Sequence, residues 1–438
     1  MKRIIKWSIL MAAAVLMATV ITGCSFWPGE EASSSDNGKV QENHEKNHDE
    51  DKQSTSDNTS GQVDSPSQQG DNNTNGGSDS KSGSDTNTDS GTLHPPAATQ
   101  SHNDNVQMEE ITAVRMIDAS SGWIGGKGII ARSDDNGVNW KIQYQGEQTA
   151  EQIFALNGKQ VWAVLASDGD TPDRKRLLTS NDGGKHWKAV GRMPSDGFLH
   201  FTSVNNAFVS NFRTTDGGKT WSKLNTPKNA VGEPYFHDEK NGWAVVQEGK
   251  KILIKKTADG GTTWKETYSG PYEGELQGSI IRSMGENDAW VELIGGTGMT
   301  QTSYSFLHTS DSGKSWRKVL ANSTAGGGPA PGVEEPHKDI PKNTGSKPGP
   351  LYVVNKDIAF LGGNCPACDV QNTLGWTKDG GKIWINGKAQ VPGYGESLLA
   401  MADGDHGWWI TNDNENGPVL YSTANGGMKW NKMKVFSK

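Results

Sequence analysis

Cysteine is nearly absent from this 438-residue chain, which holds three, too few for the disulfide-dense framework of a small secreted domain. Long hydrophobic runs are missing too. The one apolar stretch of any length, Ile9–Ile21, is shorter than the roughly 20 residues that a comfortable membrane span needs. No aromatic residue lies between Trp27 and Gln107, and aliphatics are almost absent there. Ser, Asn, Asp, Gly, Gln and Thr dominate residues 25–107, which cannot bury enough apolar surface to offset their ordering entropy and are expected to stay disordered. The chain has no phosphate loop, HExxH or nucleophile elbow, so the commonest signatures of nucleotide, zinc-protease and serine-hydrolase chemistry are missing.

The first residues read as an export signal. Lys2, Arg3 and Lys6 precede the apolar run, which ends in Ile21-Thr22-Gly23-Cys24, a sequence that looks like a bacterial lipobox. The resemblance implies a signal peptide over 1–23 and a diacylated Cys24, and two acyl chains anchor stably where one binds marginally. Residues 24–107 are then an anchor and a flexible linker, spanning about 50 Å as a random coil. That linker carries about 15 acids against 4 bases, which accounts for the net charge of −8 and leaves the remainder close to neutral. A near-neutral domain argues against nucleic acid as a partner. The expected location is the outer side of the cell membrane, with a Gram-positive surface the best fit.

After residue 130 one eight-residue pattern recurs seven times. It begins with Ser or Thr, has Gly fifth and Trp eighth, and places Asp third in all copies but the last. The third and eighth residues are Asp135 and Trp140, Asp182 and Trp187, Asp216 and Trp221, Asp259 and Trp264, Asp311 and Trp316, Asp379 and Trp384, and Asn425 and Trp430. A hydroxyl and a carboxylate two residues apart cap the N–H groups of a tight turn. The Gly supplies a positive φ, and the Trp opens the next strand with a large apolar ring. Upstream of each turn lies a short apolar strand centred on Trp123, Trp162, Phe208, Trp243, Trp290, Phe360 or Trp408, and a further strand with period-two alternation precedes it. Four strands per repeat over 108–438 predict an all-β, seven-bladed β-propeller of antiparallel blades.

In such blades the turns joining strands one–two and three–four lie at one end, so the seven repeated turns read as scaffold. Variation concentrates at the other end. The loops there carry Asp168, Asp170, Asp173, Asp413 and Glu415, and the Gly363–Thr373 loop holds Cys365, Cys368 and Asp369. Beside them runs the Gly/Pro-rich insertion Ala321–Pro350 with His337, expected to be exposed and to add little core. These residues are the candidate binding face. Outside the cytoplasm Cys365 and Cys368 are expected to form a local disulfide. Their Cys-Pro-Ala-Cys spacing lacks the βαβ setting of a thioredoxin-like pair, and the neighbouring His337 and Asp369 match no standard metal set. No cofactor and no metal are expected.

The turns S/T-x-D-x-G-x-x-W resemble the Asp-box, or BNR, repeat of bacterial sialidases and related propellers. With segments such as Asp118-Ala-Ser-Ser-Gly-Trp123 and Asp238-Glu-Lys-Asn-Gly-Trp243, the chain is most similar to propellers of the photosystem II stability and assembly-factor type. That resemblance implies a binding or assembly-factor-like scaffold for a protein or envelope glycan. Sialidase chemistry, which it also raises, needs an Arg-Ile-Pro motif that this sequence lacks. Three expectations stand: a non-enzymatic binding propeller, an Asp-box glycoside hydrolase, and a structural envelope protein without a ligand.

Overall fold

The computed structural model describes Thr92–Leu93 and residues 105–167, 175–368, 371–412, 415 and 417–437. Every regular element among them is a β-strand. The first sheet holds β1 (Thr92–Leu93), β2 (Ile111–Met116), β3 (Gly122–Ser133), β4 (Lys141–Ala155), β5 (Val161–Leu165), β6 (Arg176–Ser180) and β7 (Trp187–Arg192). The second holds β8 (His200–Phe201), β9 (Ala207–Val209), β10 (Phe212–Thr214) and β11 (Ser222–Lys223). The third holds β12 (Tyr235–Phe236), β13 (Gly242–Glu248), β14 (Lys251–Thr257) and β15 (Lys265–Pro271). In the fourth are β16 (Gly278–Arg282), β17 (Ala289–Thr297), β18 (Thr302–Thr309) and β19 (Arg317–Asn322). The fifth has β20 (Lys347–Val353), β21 (Ala359–Asn364), β22 (Asn372–Thr377) and β23 (Ile385–Val391). The sixth ends the chain with β24 (Tyr394–Met401), β25 (His406–Asn412), β26 (Val419–Ala424) and β27 (Asn431–Val435).

All pairings are antiparallel, and in five of the six sheets four consecutive strands lie side by side. The first sheet differs because β4 runs unbroken for 15 residues. Its first part pairs with β3 from Lys141 to Thr149, and its second pairs with β5 from Ala150 to Ala155. One strand thus does the work of the expected fourth strand, connection and next first strand, and the strands hydrogen-bond into six sheets. The sheets form a closed propeller ring. Val106, Met108 and Ile111 of the first sheet's leading edge share one apolar cluster with Trp408, Ile410 and Phe436 of the sixth.

The core lies between neighbouring sheets. The seven second-strand aromatics, Trp123, Trp162, Phe208, Trp243, Trp290, Phe360 and Trp408, are all at most 3% exposed. The turn tryptophans divide into two groups. Trp140, Trp187 and Trp384 are buried, whereas Trp221, Trp264, Trp316 and Trp430 are half-buried. Burial follows neighbours: Trp140 is enclosed by Trp408 at 5.4 Å and Phe436 at 5.7 Å, while Trp264 sits edge-on to Phe236 near the rim.

The insertion Ala321–Pro350 departs from its expected exposed path. Val333 is 3% exposed and packs with Ala321 and Ala330. Ser305 donates to the Pro331 carbonyl at 2.6 Å, and the Tyr268 hydroxyl donates to that of Gly332. Asn322 and Asn343 exchange two hydrogen bonds of 3.0 and 2.9 Å, both buried. These partners leave polar groups of the third and fourth sheets satisfied only while the insertion is seated.

Candidate functional site

The repeated turns are built alike. In the first, Ser133 Oγ donates to Asp135 Oδ1 at 2.9 Å and accepts from Gly137 N at 2.9 Å, while Asn139 N donates to Asp135 Oδ1 at 2.8 Å. The same three bonds recur in the turns of Asp182, Asp216, Asp259, Asp311 and Asp379, and around Asn425. The fifth-place glycines have φ between 77° and 95°. A Cβ there would also collide, meeting Leu420 at 2.4 Å from Gly137 and Val319 at 2.4 Å from Gly381. Hydrogen bonds hold these carboxyls below the usual range. For Asp216 the Thr220 hydroxyl is the main cause, and for Asp259 the Thr263 amide.

The fourth residue of each turn donates its N–H to the turn between strands one and two of the same repeat. Asn136 N bonds Ser120 O, Gly183 N bonds Lys159 O, Gly260 N bonds Lys240 O and Gly426 N bonds Asp405 O, all within 2.7–2.9 Å. Both turn types therefore share one end of the ring.

Just before three of the turns stands a long cation, Arg132, Arg213 or Lys256, that the motif does not announce. Arg132 lies over Trp123 at 4.6 Å and donates across to Gly158 O at 2.8 Å. Lys256 lies over Trp243 and reaches Glu286 O and Ser312 Oγ at 2.8 and 2.9 Å. Arg213 pairs with Glu239 at 2.7 Å. At Arg132 and Lys256 a long cation on a buried aromatic thus staples one repeat to the next. The sequence signal was there, in the basic residue preceding Ser or Thr.

The ring encloses a central cavity of about 600 Å³. Seven chain segments line it, from β2, β4, β8, β12, β16, β20 and β24 or the residues just after them, and it lies at the repeat-turn end. Aromatic and aliphatic side chains make up most of the wall, with two arginines among them. Arg115 stacks on Phe154 at 4.7 Å and donates to Ala155 O at 3.3 Å and Tyr352 OH at 3.4 Å, and its Nε is buried without a partner. Arg282 stacks on Phe198 at 3.8 Å and donates to Ile281 O at 2.8 Å. Among the described residues neither forms an ion pair. Burial pushes Tyr235 up to about 12, against the pull of Arg282, and its hydroxyl donates to Ser283 O at 3.1 Å. His200 stacks on Tyr235 at 4.5 Å and is held down to about 4 by burial, and its Nδ1 has no partner. Both arginines interrupt short apolar strands, Val-Arg-Met and Ile-Arg-Ser, a sign that sequence reasoning passed over.

Of the candidates named from sequence, none of the described ones lines this cavity. Cys24, Asp168, Asp170, Asp173, Asp369 and Asp413 lie outside the described residues. Glu415 is exposed. His337 is folded into the insertion, its Nε2 2.8 Å from Ser323 Oγ and 2.9 Å from Glu335 Oε1. One nitrogen serves both partners, so the trio orders its loop and lacks the two-sided imidazole of a nucleophilic triad. Cys365 and Cys368 are joined by a disulfide at the β21–β22 hairpin tip, where Cys365 N also bonds Gln371 O at 2.8 Å.

No protein-family model and no curated protein matches the chain. Among solved structures it is similar to YCF48 bound to D1 peptide, at 17% identity and a TM-score of 0.41, covering 76% of this chain and 97% of that one. YCF48 from Cyanidioschyzon merolae shares 14% identity with a TM-score of 0.44, covering 73% and 96%. The GH74 xyloglucanase from Xanthomonas campestris shares 12% identity with a TM-score of 0.47, covering 75% of this chain and 54% of the enzyme.

Proposed function

We propose that the chain is a lipid-anchored, extracytoplasmic binding propeller that takes hold of an acidic group of a protein or envelope-glycan partner at its central cavity. The observation that carries this is the pair Arg115 and Arg282, which line an aromatic cavity and form no ion pair among the described residues, Arg282 feeling Glu233 and Glu292 through space without bonding either. Stacking on Phe154 and Phe198 fixes each guanidinium plane, and a planar fork held in place favours bidentate contact with a carboxylate. An assembly-factor-like role fits such a site, since binding there requires no bond to be made or broken.

The seven-bladed count belongs to the same proposal. Seven chain segments line the cavity, and dividing the first sheet at Ala150, where β4 changes partner, yields two blades from its seven strands. Diacylation of Cys24 and display beyond the membrane rest on the sequence of residues 1–24.

A glycosidase needs two carboxyl groups about 5–10 Å apart facing the substrate. The described cavity wall has one, Asp238, and its oxygens accept from Lys240 N, Asn241 N and Asn241 Nδ2 at 2.7–3.1 Å. It is committed to its turn, which favours binding over hydrolysis.

Crosslinking pulldown from intact cells tests the proposal, with the wild-type chain and an Arg115→Gln/Arg282→Gln variant as baits. Loss of one defined partner in the folded variant is the expected result. Equal capture by both baits would remove the cavity as the binding site. Metabolic labelling with a palmitate analogue should mark the wild type and leave Cys24→Ala unlabelled, and label retained in that variant would remove the anchor.

A further inference from the structure

The disulfide at the β21–β22 tip joins residues that the backbone has already brought together. Cys368 N donates to Cys365 O at 3.0 Å, which closes a β-turn over Pro366 and Ala367. Such a turn needs its first and last Cα within about 7 Å, and a proline in second place presets the φ required there. The two cysteine Cα atoms stand 5.4 Å apart, inside the span that a disulfide bridges. The strands below the turn are tied without the help of sulfur. Cys365 N donates to Gln371 O at 2.8 Å, and Ser346 N donates to Asn364 O at 3.0 Å. Thr373 Oγ1 donates to Thr344 O at 2.9 Å, and Asn364 and Asn372 pair as the rung nearest the tip.

A bond across so short a stretch of chain adds little to the fold. The stabilisation from a crosslink grows with the loop it closes, and these cysteines are three positions apart. Solvent reaches the pair unequally: Pro366, Ala367 and Cys368 are exposed, and Cys365 is half-buried. Exchange at a disulfide needs an accessible sulfur and a second thiol close enough to resolve the mixed intermediate. Cys368 is the open sulfur here, and Cys365 stands across the turn. The remaining cysteine of the sequence is Cys24, so no third thiol within the ring competes for the intermediate.

We propose that Cys365 and Cys368 form a thiol–disulfide exchange centre that oxidises an accessible dithiol. A thiolate of that dithiol attacks Cys368 Sγ. The Cys365–Cys368 bond breaks, its electron pair leaves on Cys365 Sγ, and Cys365 takes a proton from solvent. The second thiolate of the dithiol then attacks the sulfur bonded to Cys368, forming the new disulfide and releasing Cys368 as thiolate. Two electrons pass from the dithiol to the pair, and no other reactant enters. The turn keeps its own hydrogen bond throughout, so the reduced thiols stay across from each other and the exchange runs in both directions. It does so on a hairpin turn alone, without the βαβ setting of a thioredoxin-like pair. Small dithiols and polypeptide dithiols share this chemistry.

Holding the full chain in glutathione redox buffers tests this, with the tip peptide mapped by mass spectrometry after acid quenching and alkylation. Both forms of the pair should coexist at millimolar glutathione, whereas a structural disulfide resists that pool. Dithiothreitol and a reduced two-cysteine peptide separate the two sources. Oxidation of the peptide marks a polypeptide co-reactant, and oxidation of dithiothreitol alone restricts the centre to small dithiols. Cys365→Ser should form a mixed disulfide with a peptide carrying an activated disulfide about tenfold faster than Cys368→Ser, following exposure. Cys365→Ser/Cys368→Ser should melt with the wild type. Arg115→Gln/Arg282→Gln should exchange like the wild type, which keeps this centre apart from the central cavity. A pair that stays oxidised in every glutathione buffer, a Cys368 no faster than Cys365, or a double serine variant that melts clearly lower would overturn the proposal.

Discussion

Asn412 and Ile111, 301 positions apart in sequence, clasp each other through two hydrogen bonds of 3.0 Å. Ile111 N donates to Asn412 Oδ1, and Asn412 Nδ2 donates to Ile111 O. The amide of one side chain reproduces the edge of a β-strand and so continues the sixth sheet onto the first. Asn412→Ala should lower stability by about 1–3 kcal/mol, because it strands a backbone donor and acceptor at a closed seam. Thermal unfolding measures this, and an unchanged midpoint would show that the apolar cluster alone closes the ring.

Trp187 and Trp264 hold the same place in the repeat but differ in burial. Trp187→Ala should cost about 3–5 kcal/mol, as for other buried tryptophans. Trp264→Ala should cost clearly less, since its indole is half solvated and its Nε1 bonds Gly261 O and Asn225 O at the surface. Denaturant midpoints of the two variants, measured side by side, decide the matter. Equal losses would contradict the burial argument.

Glu292 is fully buried, and neither carboxyl oxygen has a hydrogen-bond partner. Burial raises it to about 8, with only Arg282 pulling it back. Because the folded state holds a proton that the unfolded chain releases near 4.5, the contribution of this group is fully present below about 4.5 and is lost as pH rises to about 8. The slope from this group approaches about 1.4 kcal/mol per pH unit. Glu292→Gln should remove that slope, matching the wild type at pH 4.5 and exceeding it at pH 8. Parallel stability curves for the two proteins would show that Glu292 does not titrate in this window.

Deleting Ser323–Ser346 and bridging the gap with a short Gly/Ser segment should destabilise the propeller. The cut removes the carbonyls that Ser305 and Tyr268 donate to, and it removes the Asn343 partner of Asn322. Three buried or half-buried polar groups would be left unpaired, at about 1–3 kcal/mol each. A deletion variant that melts with the wild type would mean that the insertion is an ornament after all.

The architecture was legible because its signals repeat. A turn that needs a hydroxyl, a carboxylate, a glycine and a tryptophan at fixed places leaves little freedom, and seven copies repeat that constraint. The buried second-strand aromatics were equally plain. The continuity of β4 was not, since Gln145–Ala150 contains no residue that forbids an extended path and no turn signal that demands a break. The insertion misled for a related reason: its glycines and prolines read as an irregular surface loop, yet irregular backbone offers the carbonyls that Ser305 and Tyr268 need. Arg115 and Arg282 were hidden by their place at the strand ends. They lie at or next to the last residue of β2 and β16, strands of six and five residues, where a lone basic residue gives no sign of whether it turns into the cavity or out to solvent.

Strand order within the ring has one more consequence. Each four-stranded sheet is made from consecutive chain, with no strand lent to a distant neighbour, and Met108 N meets Ser437 O at 3.1 Å. Start and finish of the ring are thus adjacent, and among the described residues its seam is held by side chains and by this backbone bond. The molecule behaves as a necklace whose clasp can be moved. Joining residue 437 to residue 105 through a short linker, so that Val106 stays in the closing cluster, and reopening the chain in the Asn225–Glu233 stretch should give a circular permutant with the same ring, beginning at β12 and ending at β11.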